Sequence, residues 1–302
     1  MIMLYSDTEN LVSPVAFSQK LRACFALLKP RLSFLVAFSS AFGYVLGYGG
    51  SSIDWLTLGM LSLGGFLVSG ASVTINQMLE VEFDRKMDRT KNRPLPTGVL
   101  NKTEAFIVVV ITAVAGLGLL WVYTNPSTVV MAFVSLVLYS FVYTPLKRVG
   151  PIAVFVGAIP GALPPLLGWV AATNSFGIEA WIIFGIQFIW QFPHFWAIAW
   201  VADEDYKKAG FKLLPVGGKK DLNTAIQIMI YTLFLIPLGL LPSLFGITGI
   251  HSAFVVTICG VLFLSQTFYL MKECTKEAAL KIMFGSFLYL PIVQIALLID
   301  KL

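Results

Sequence analysis

A dense run of charged residues, between Asn76 and Pro94, directly follows a long apolar segment of this chain. The run holds four carboxylates and five basic side chains, although only 12% of the 302 residues are charged. The apolar segment, residues 55–79, contains no charged side chain. If its helix continues into the run, Asn76, Glu80 and Asp84 lie one above the other, because residues four apart share a helical face.

The side chains of this row have the chemistry of a metal and diphosphate site. Mg²⁺ prefers oxygen ligands and is usually shared with substrate phosphates, and Asp88 would extend the row of oxygens. Arg85 and Arg89 form a neighbouring basic row, with Lys86 beside it, and such side chains suit phosphate oxygens. Pro94 would end the helix and push Arg93 toward an extended backbone. The alternative interpretation is a solvated helix end with ion pairs between successive turns.

The composition is that of a polytopic membrane protein. Hydrophobic residues make up 57% of the chain, which is more than in soluble domains. Nine apolar segments are long enough to span a bilayer as helices. The sequence therefore predicts an all-α membrane fold in one domain, residues 1–302, with a polar lead at residues 1–30. The predicted spans are 32–48, 55–79, 105–123, 128–143, 152–172, 181–201, 225–245, 253–271 and 282–299.

The basic residues predict how these helices are oriented. Of the 21 lysines and arginines, 20 lie in the lead and in the loops after the second, fourth, sixth and eighth spans, and Lys301 is the exception. Cytoplasmic loops carry an excess of Lys and Arg, so we expect the N-terminus and these loops in the cytoplasm and the C-terminus outside. The clustering also explains the net charge of +5 and argues against nucleic-acid binding. No organellar transit sequence is evident, and we expect a bacterial inner membrane.

A second acidic loop, residues 202–221, follows the sixth span and is similar to the first loop, residues 80–102. Each begins where an apolar helix runs into acidic and then basic residues, here Asp205 followed by Lys208. The loops lie four spans apart, so parallel helices would bring them face to face. The pattern predicts one site shared between two halves of the chain, because costly polar groups at membrane depth are usually functional.

His194 is the only titratable side chain well inside a predicted span, apart from cysteines and tyrosines. It shares a helical face with Gln187 and Gln191, and Pro193 frees a backbone carbonyl nearby. An ionisable group at this depth is expected to be functional. General acid or base, metal or haem ligand, and hydrogen-bond partner of a substrate are all open roles. The alternative is a histidine satisfied by a neighbouring helix.

The fifth span contains Pro160, Pro164 and Pro165 together with several glycines. Broken helices are tolerated in membranes where they line a cavity or are buried in protein. Proline and glycine are also common in ordinary membrane helices. The sequence leaves both interpretations of this span open.

At these residues the chain resembles the UbiA superfamily of intramembrane prenyltransferases. The first motif of that superfamily is an Asn, then acids four and eight residues on, then Arg-Thr-x-x-Arg-Pro. In this chain the motif is Asn76, Glu80, Asp84 and residues 89–94, with Glu80 where the family usually has Asp. Within the superfamily the chain is most similar to members that modify haem. The signatures are Lys29-Pro30-Arg31, residues 76–98, Trp190-Gln191-x-Pro193-His194-Phe195, Asp205-Tyr206-x-x-Ala209-Gly210 and Leu214-Pro215-Val216.

The resemblance implies nine transmembrane helices around a central cavity, with both acidic loops at its cytoplasmic mouth. It implies that a farnesyl group moves from farnesyl diphosphate to a vinyl group of haem B, while a water supplies the new hydroxyl of the product, haem O. The reaction would take place within the lipid bilayer with Mg²⁺ as cofactor. A downstream haem A synthase or terminal oxidase assembly is the implied partner that receives the product.

The resemblance also implies roles for individual residues. The implied catalytic residues are Asn76, Glu80, Asp84, His194 and Asp205. All of these except His194 are also the implied ligands of Mg²⁺. The residues expected to bind the diphosphate are Arg31, Lys86, Arg89, Arg93 and Lys208. The residues expected to contact haem are Gln191, His194 and Tyr206.

Two other functions compete with this interpretation. A prenyltransferase with a quinone-precursor or chlorophyll-type acceptor would share the first loop and differ in its acceptor site. A transporter would also show paired half-repeats and broken helices, but transporter sites lie near the bilayer midplane. The carboxylates of this chain are instead expected at the cytoplasmic edge.

Overall fold

The computed structural model describes residues 16–302, so residues 1–15 of the predicted lead lie outside the described part. Within it the chain forms fourteen α-helices and one π-helical turn, Leu138–Tyr143, which confirms the all-α prediction. The helices are α1 Phe17–Leu27, α2 Pro30–Gly47, α3 Trp55–Leu79, α4 Val81–Asp84, α5 Lys102–Tyr123, α6 Pro126–Val137, α7 Thr144–Leu146, α8 Ile152–Thr173, α9 Ile178–Val201, α10 Asp203–Lys208, α11 Pro215–Gly218, α12 Leu222–Leu244, α13 Ile250–Glu273 and α14 Lys276–Ile299.

Eight helical stretches of the described chain are long and apolar enough to cross a membrane. They are α3, α5, the continuous stretch Pro126–Leu146, α8, α9, α12, α13 and α14. The first predicted span, residues 32–48, coincides with α2, which is not among the eight. This helix has 18 residues, begins with Pro30 and Arg31 and carries buried serines. It is therefore less apolar than the eight stretches. It packs against α3, α8 and α14.

Glycines bring α2 and α8 into backbone contact. A Cβ atom added at Gly43 would lie 1.9 Å from the carbonyl oxygen of Pro165, and one at Gly168 would lie 1.9 Å from that of Ser40. Neither position has room for a side chain. Small residues allow such close approach of membrane helices, where packing rather than water drives association.

The proline-rich helix α8 is continuous from Ile152 to Thr173, so the broken-helix interpretation is wrong. Pro165 has no N–H for the carbonyl of Gly161, and the Gln187 side-chain amide donates to that oxygen at 2.8 Å. Pro164 similarly frees the carbonyl of Pro160, which accepts from the Ser135 hydroxyl at 3.4 Å. Neighbouring helices thus satisfy the freed carbonyls, as expected in an apolar environment.

Candidate active site

The row of polar side chains at the end of α3 extends as far as Asp84. The N–H of Glu80 donates to the carbonyl of Asn76 at 3.0 Å, and the N–H of Asp84 donates to that of Glu80 at 2.8 Å. All three side chains are buried, with 1% of Asp84 exposed. The helical face predicted from their spacing is therefore present, although α3 itself ends at Leu79 and the short helix α4 follows.

The helix does not continue to Pro94, and that part of the prediction is wrong. The hydroxyl of Thr90 donates to the carbonyl of Asp84 at 2.9 Å, and the chain turns back at this point. Asp88 consequently leaves the row, and its carboxylate is exposed and paired with Lys91 at 2.7 Å. The turn also carries Arg93 back toward the carboxylate of Asp84.

Asp84 has one oxygen paired and one oxygen free. Nη1 of Arg93 donates to its Oδ2 at 2.8 Å, whereas its Oδ1 is buried without a hydrogen-bond partner. A buried carboxylate oxygen without a partner is costly, so it marks a place where a cation would bind. The contact between Arg93 and Asp84 was not predicted and follows from the turn at Thr90.

Glu80 is paired with a residue that the sequence did not single out, Lys147. The Lys147 ammonium donates a hydrogen bond to Oε2 of Glu80 at 2.8 Å. The same ammonium also lies 2.7 Å from Oε1 of Glu80, as part of the ion pair. Oε1 is buried and accepts no hydrogen bond. Lys147 follows α7 and is 9% exposed, whereas the adjacent Arg148 is exposed. No local sequence signal distinguishes Lys147 from Arg148.

The π-helical turn places a second unanticipated residue at the site, Thr144. Its hydroxyl accepts a hydrogen bond from the Asn76 side-chain amide at 3.0 Å and donates to the carbonyl of Tyr139 at 2.9 Å. The amide of Asn76 is thereby oriented with its nitrogen toward Thr144. π-Helical turns frequently occur at functional sites, and this one positions both Thr144 and Lys147.

The second loop joins the first loop through Asp205. Its carboxylate accepts hydrogen bonds from the backbone N–H of Asp88 at 3.2 Å and of Arg89 at 3.0 Å. Lys208 donates to Asp205 at 3.2 Å and also forms a short ion pair with Asp88. These contacts between Asp205, Lys208 and the first loop place the two loops face to face. Hydrogen bonds from Lys208 and Lys91 also lower the pKa of the Asp88 carboxyl to about 2.

The predicted set of four metal ligands is not assembled in this structure. Among residues 16–302, no three His, Cys, Asp or Glu side chains form a metal-binding group. Asp205 is held by the N–H groups of the first loop, apart from Glu80 and Asp84. The free Oδ1 of Asp84, the Glu80 carboxylate and the amide oxygen of Asn76 are nevertheless hard ligands of the type that Mg²⁺ uses with waters and substrate phosphates.

The predicted diphosphate-binding residues differ in environment. Arg31, Lys86 and Arg89 are exposed, and the guanidinium of Arg89 lies 5.8 Å from the ring centre of Tyr206. Lys29 precedes α2 in a left-handed conformation with φ of 44° and is not among the predicted diphosphate-binding residues. Burial, together with the nearby cations Arg93 and Lys147, lowers the pKa of the Lys29 amine to about 7.

The predicted haem-contacting residues do not form one cluster of contacts. Nδ1 of His194 lies 2.8 Å from the hydroxyl of Ser286 on α14, so a neighbouring helix satisfies one ring nitrogen. The amide of Gln191 is buried and donates to the carbonyl of Ala158 at 3.1 Å, which gives it a role in packing α9 on α8. Tyr206 lies at the junction of the two loops, beneath Arg89.

The fold of this helical bundle is similar to the folds of solved membrane-protein structures. Digeranylgeranylglyceryl phosphate synthase aligns with a TM-score of 0.77 at 23% identity, covering 93% of this chain and 98% of that chain. A UbiA homolog from Archaeoglobus fulgidus bound to GPP and Mg²⁺ aligns with a TM-score of 0.60 at 17% identity, covering 92% of this chain and 99% of that chain. These likenesses define the class of fold.

Sequence comparison identifies the family. Residues 36–290 match the UbiA prenyltransferase family, and the chain belongs to that family. It is 53% identical over 285 residues to protoheme IX farnesyltransferase of Cytophaga hutchinsonii, covering 94% of this chain and 99% of that protein. The resemblance stated from the motifs is confirmed, and the chain is an enzyme of the prenyltransferase class rather than a transporter.

Proposed function

We propose that this enzyme transfers the farnesyl group of farnesyl diphosphate to a vinyl group of haem B. Water adds in the same reaction, and the products are haem O and diphosphate. The acceptor is inferred from the relative of 53% identity that is called protoheme IX farnesyltransferase. The farnesyl group is inferred from the same name, and the site itself supports a diphosphate donor.

The observation that best supports a diphosphate donor is the buried oxygen of Asp84, which has no hydrogen-bond partner although cations surround the carboxylate. Oδ1 of this carboxylate has no hydrogen-bond partner, while Arg93 binds the other oxygen at 2.8 Å. Lys147 is paired with the neighbouring carboxylate of Glu80. Lys29 lies close enough for the charges of Asp84 and Glu80 to act on its amine. Such a mixture of acids and bases suits a divalent cation and the polyanion that it accompanies.

We assign Mg²⁺ to Asn76, Glu80 and Asp84, whose oxygens line the buried row. When bound, the metal would neutralise charge on the departing diphosphate. The Archaeoglobus fulgidus homolog, bound to GPP and Mg²⁺, supports a divalent metal in this fold. Asp205 would join this ligand set only by leaving the N–H groups of Asp88 and Arg89, so we propose that it mainly fastens the two loops.

The basic residues would hold the diphosphate oxygens as the bond to the farnesyl carbon breaks. Preorganised cations at the place where negative charge develops supply much of the stabilisation of such a step. Arg93 is already oriented by Asp84, and Arg89 by the ring of Tyr206. The other proposed members of this group are Arg31, Lys86 and Lys208, and Lys147 joins them because of its contact with Glu80.

The chemistry balances with one water. The farnesyl C–O bond breaks and leaves an allylic cation, whose terminal carbon forms a bond with the terminal carbon of the haem vinyl group. The positive charge then lies on the vinyl carbon next to the porphyrin. That carbon takes the oxygen of a water molecule, which loses one proton. A water-poor site within the membrane protects the first cation from premature hydrolysis.

We further propose that the helices span a bacterial inner membrane with both acidic loops in the cytoplasm. The distribution of basic residues supports this orientation, because 20 of 21 lie on the predicted cytoplasmic side. The C-terminus would then lie outside. The product would pass to a haem A synthase or to terminal oxidase assembly.

The purified full-length chain should convert farnesyl diphosphate and haem B into a product with the mass of haem B plus one farnesyl group and one water. We expect Asp84→Asn to lower the rate at least about 100-fold, since it removes the charge beside the leaving group. Glu277→Gln, which changes an exposed carboxylate in the first turn of α14, is the matched control. Product from 4-hydroxybenzoate instead of haem B would contradict the proposed acceptor.

A further inference from the structure

The short helix α1 is attached to the bundle at the end where the first acidic loop begins. The side-chain amide of Gln77, near the end of α3, donates to the carbonyl of Leu27 at 2.7 Å. The ammonium of Lys20 forms an ion pair with Glu104 in the first turn of α5. These contacts place α1 where long apolar helices meet their charged ends, which is the level of a membrane surface.

The outer side of α1 exposes a row of large apolar side chains. Phe17, Leu21 and Phe25 lie four residues apart and share one helical face, and each is more than half exposed. Phe106 and Val110 are exposed on the neighbouring helix α5. A short helix with an exposed apolar face and basic residues beside it is typical of helices that lie in the interface of a bilayer.

A groove of about 520 Å³ lies between α1 and α5. Its lining residues are Leu21, Arg22, Cys24, Phe25, Leu28 and Val108. Arg22 is the one charged side chain among them, and it is exposed. Within residues 16–302 no carboxylate pairs with Arg22, whereas the nearby Lys20 is paired with Glu104. The groove therefore combines apolar walls with one cation that is available to an anion.

The dimensions and charge of the groove fit a phospholipid. Val108 lies about 9 Å along α5 from the first residue of that helix, Lys102, at 1.5 Å per residue. A ligand with its phosphate at Arg22 would place its chain against the lipid side of α5. A guanidinium binds a phosphate group through two parallel hydrogen bonds. A diphosphate with its metal would need carboxylates and further cations, which the described lining of the groove does not contain.

We propose that this groove binds one anionic phospholipid of the surrounding membrane, phosphatidylglycerol in type, with its phosphate on Arg22 and an acyl chain against Val108. The lipid would hold α1 on the bundle. Because α1 ends two residues before Lys29, whose amine feels the charges of Asp84 and Glu80, the lipid would also stabilise the entry of the chain into the active site. The lipid site does not depend on the proposed function.

The purified full-length chain, titrated in detergent with phosphatidylglycerol or phosphatidylcholine, provides the test, with bound lipid counted by native mass spectrometry. Wild type should retain one phosphatidylglycerol in preference to phosphatidylcholine. Arg22→Gln should bind phosphatidylglycerol about 5-fold more weakly, the contribution of one basic side chain near an anionic lipid. Lys276→Gln, which removes an exposed lysine at the start of α14, should behave as wild type. Equal affinities of the two variants would overturn the role of Arg22.

The position of the acyl chain is tested inside the groove. Val108→Trp should fill the groove and abolish retention of phosphatidylglycerol, whereas Val110→Trp, at an exposed position outside the groove, should not. Alkylation of Cys24 by N-ethylmaleimide, followed by peptide mass spectrometry, should slow when wild type is saturated with phosphatidylglycerol. Alkylation of Cys259, which is on α13 and outside the groove, should not slow. Equal rates at Cys24 with and without lipid would overturn the assigned position.

Two other occupants would give different results. If residues 1–15, which lie outside the described part, occupied the groove, a chain without them would bind phosphatidylglycerol more tightly than the full chain. If farnesyl diphosphate occupied it, farnesyl diphosphate would displace the lipid and protect Cys24. Either result would overturn the proposal, and unchanged lipid binding in both experiments would support it. Because no turnover is measured, failure of the lipid site leaves the proposed transferase activity intact.

Discussion

At the residue scale, the site depends on how two buried carboxylates are compensated by cations. Glu80 is paired with Lys147 at 2.7 Å and Asp84 with Arg93 at 2.8 Å, and each carboxylate keeps one oxygen without a hydrogen bond. A buried pair of this kind is a poor source of net stability, but an unpaired buried charge is strongly destabilising. The cations are therefore needed for folding, and we propose that they also bind the diphosphate.

Lys147→Met should destabilise the protein by about 3–5 kcal/mol, because it leaves the buried charge of Glu80 without its partner. Glu80→Gln combined with Lys147→Met should recover much of this loss, since no buried charge then remains at the pair. Thermal unfolding in detergent measures both effects. Arg148→Met is the matched control, because the neighbouring side chain is exposed. Equal destabilisation by the single and double variants would contradict the explanation.

The sequence allowed the row Asn76, Glu80 and Asp84 to be predicted from spacing alone, because local helical geometry fixes which side chains share a face. It did not reveal Lys147 or Thr144. Their place at the site follows from a π-helical turn and from packing between distant segments, for which neither residue carries a local signal. Asp88 left the predicted row for the related reason that Thr90 competes for the helical carbonyl of Asp84.

At the scale of helices, the bundle depends on close crossings and on caps at the helix ends. The helices α2 and α8 meet at Gly43 and Gly168, where an added Cβ would lie 1.9 Å from a backbone oxygen. At the predicted outer end, Lys301 donates to the carbonyl of Val45 at 2.9 Å. The carboxylate of Asp300 accepts from the N–H of Ser252 in the first turn of α13 at 2.7 Å.

Gly168→Ala should lower stability by about 1–3 kcal/mol, the usual cost of overpacking a tight interface. The backbone oxygen that its Cβ would meet cannot rotate away, so α2 and α8 would have to move apart. Gly185→Ala is the matched control, because no atom lies within 4 Å of its added Cβ. Melting temperatures of the two variants compare them directly. A Gly168→Ala protein at least as stable as Gly185→Ala would contradict the close crossing.

The cap formed by Asp300 predicts a dependence of stability on pH. The hydrogen bond from the backbone N–H of Ser252 lowers the pKa of the Asp300 carboxyl below its usual 3.8. A carboxyl whose pKa is lower in the folded state stabilises the fold above its unfolded pKa of about 3.9 and loses this contribution as pH falls through the folded value. Melting temperature should therefore fall less on acidification below about pH 4 in Asp300→Asn than in wild type. An identical pH dependence would contradict the role of this cap.

The positions of the long helices could be predicted well, because long apolar runs and their charged ends determine them. The second predicted span, residues 55–79, coincides with α3. The behaviour of α8 could not be predicted, because its continuity depends on Gln187 and Ser135 from other helices. Local sequence shows only that three prolines are present, whereas the partners of the freed carbonyls are set by packing.

At the scale of the whole molecule, one contact unites segments 117 positions apart. The carboxylate of Asp205 binds the backbone N–H of Asp88, so the ends of α3 and α9 share a single polar surface. The similarity of the two acidic loops predicted that they would face each other, and this is confirmed. The details differ from the prediction, since Asp205 bonds to the backbone of the first loop and not to the row of carboxylates.

We propose that departure of diphosphate and farnesylation of haem form one metal-dependent event at the joined loops. The decisive measurement quantifies pyrophosphate and farnesylated haem in the same sample of purified chain, supplied with farnesyl diphosphate and haem B. We expect equal amounts of the two products, loss of both in EDTA and recovery of both with added Mg²⁺. Undiminished farnesylated haem in EDTA, or pyrophosphate released without any haem product, would contradict the claim.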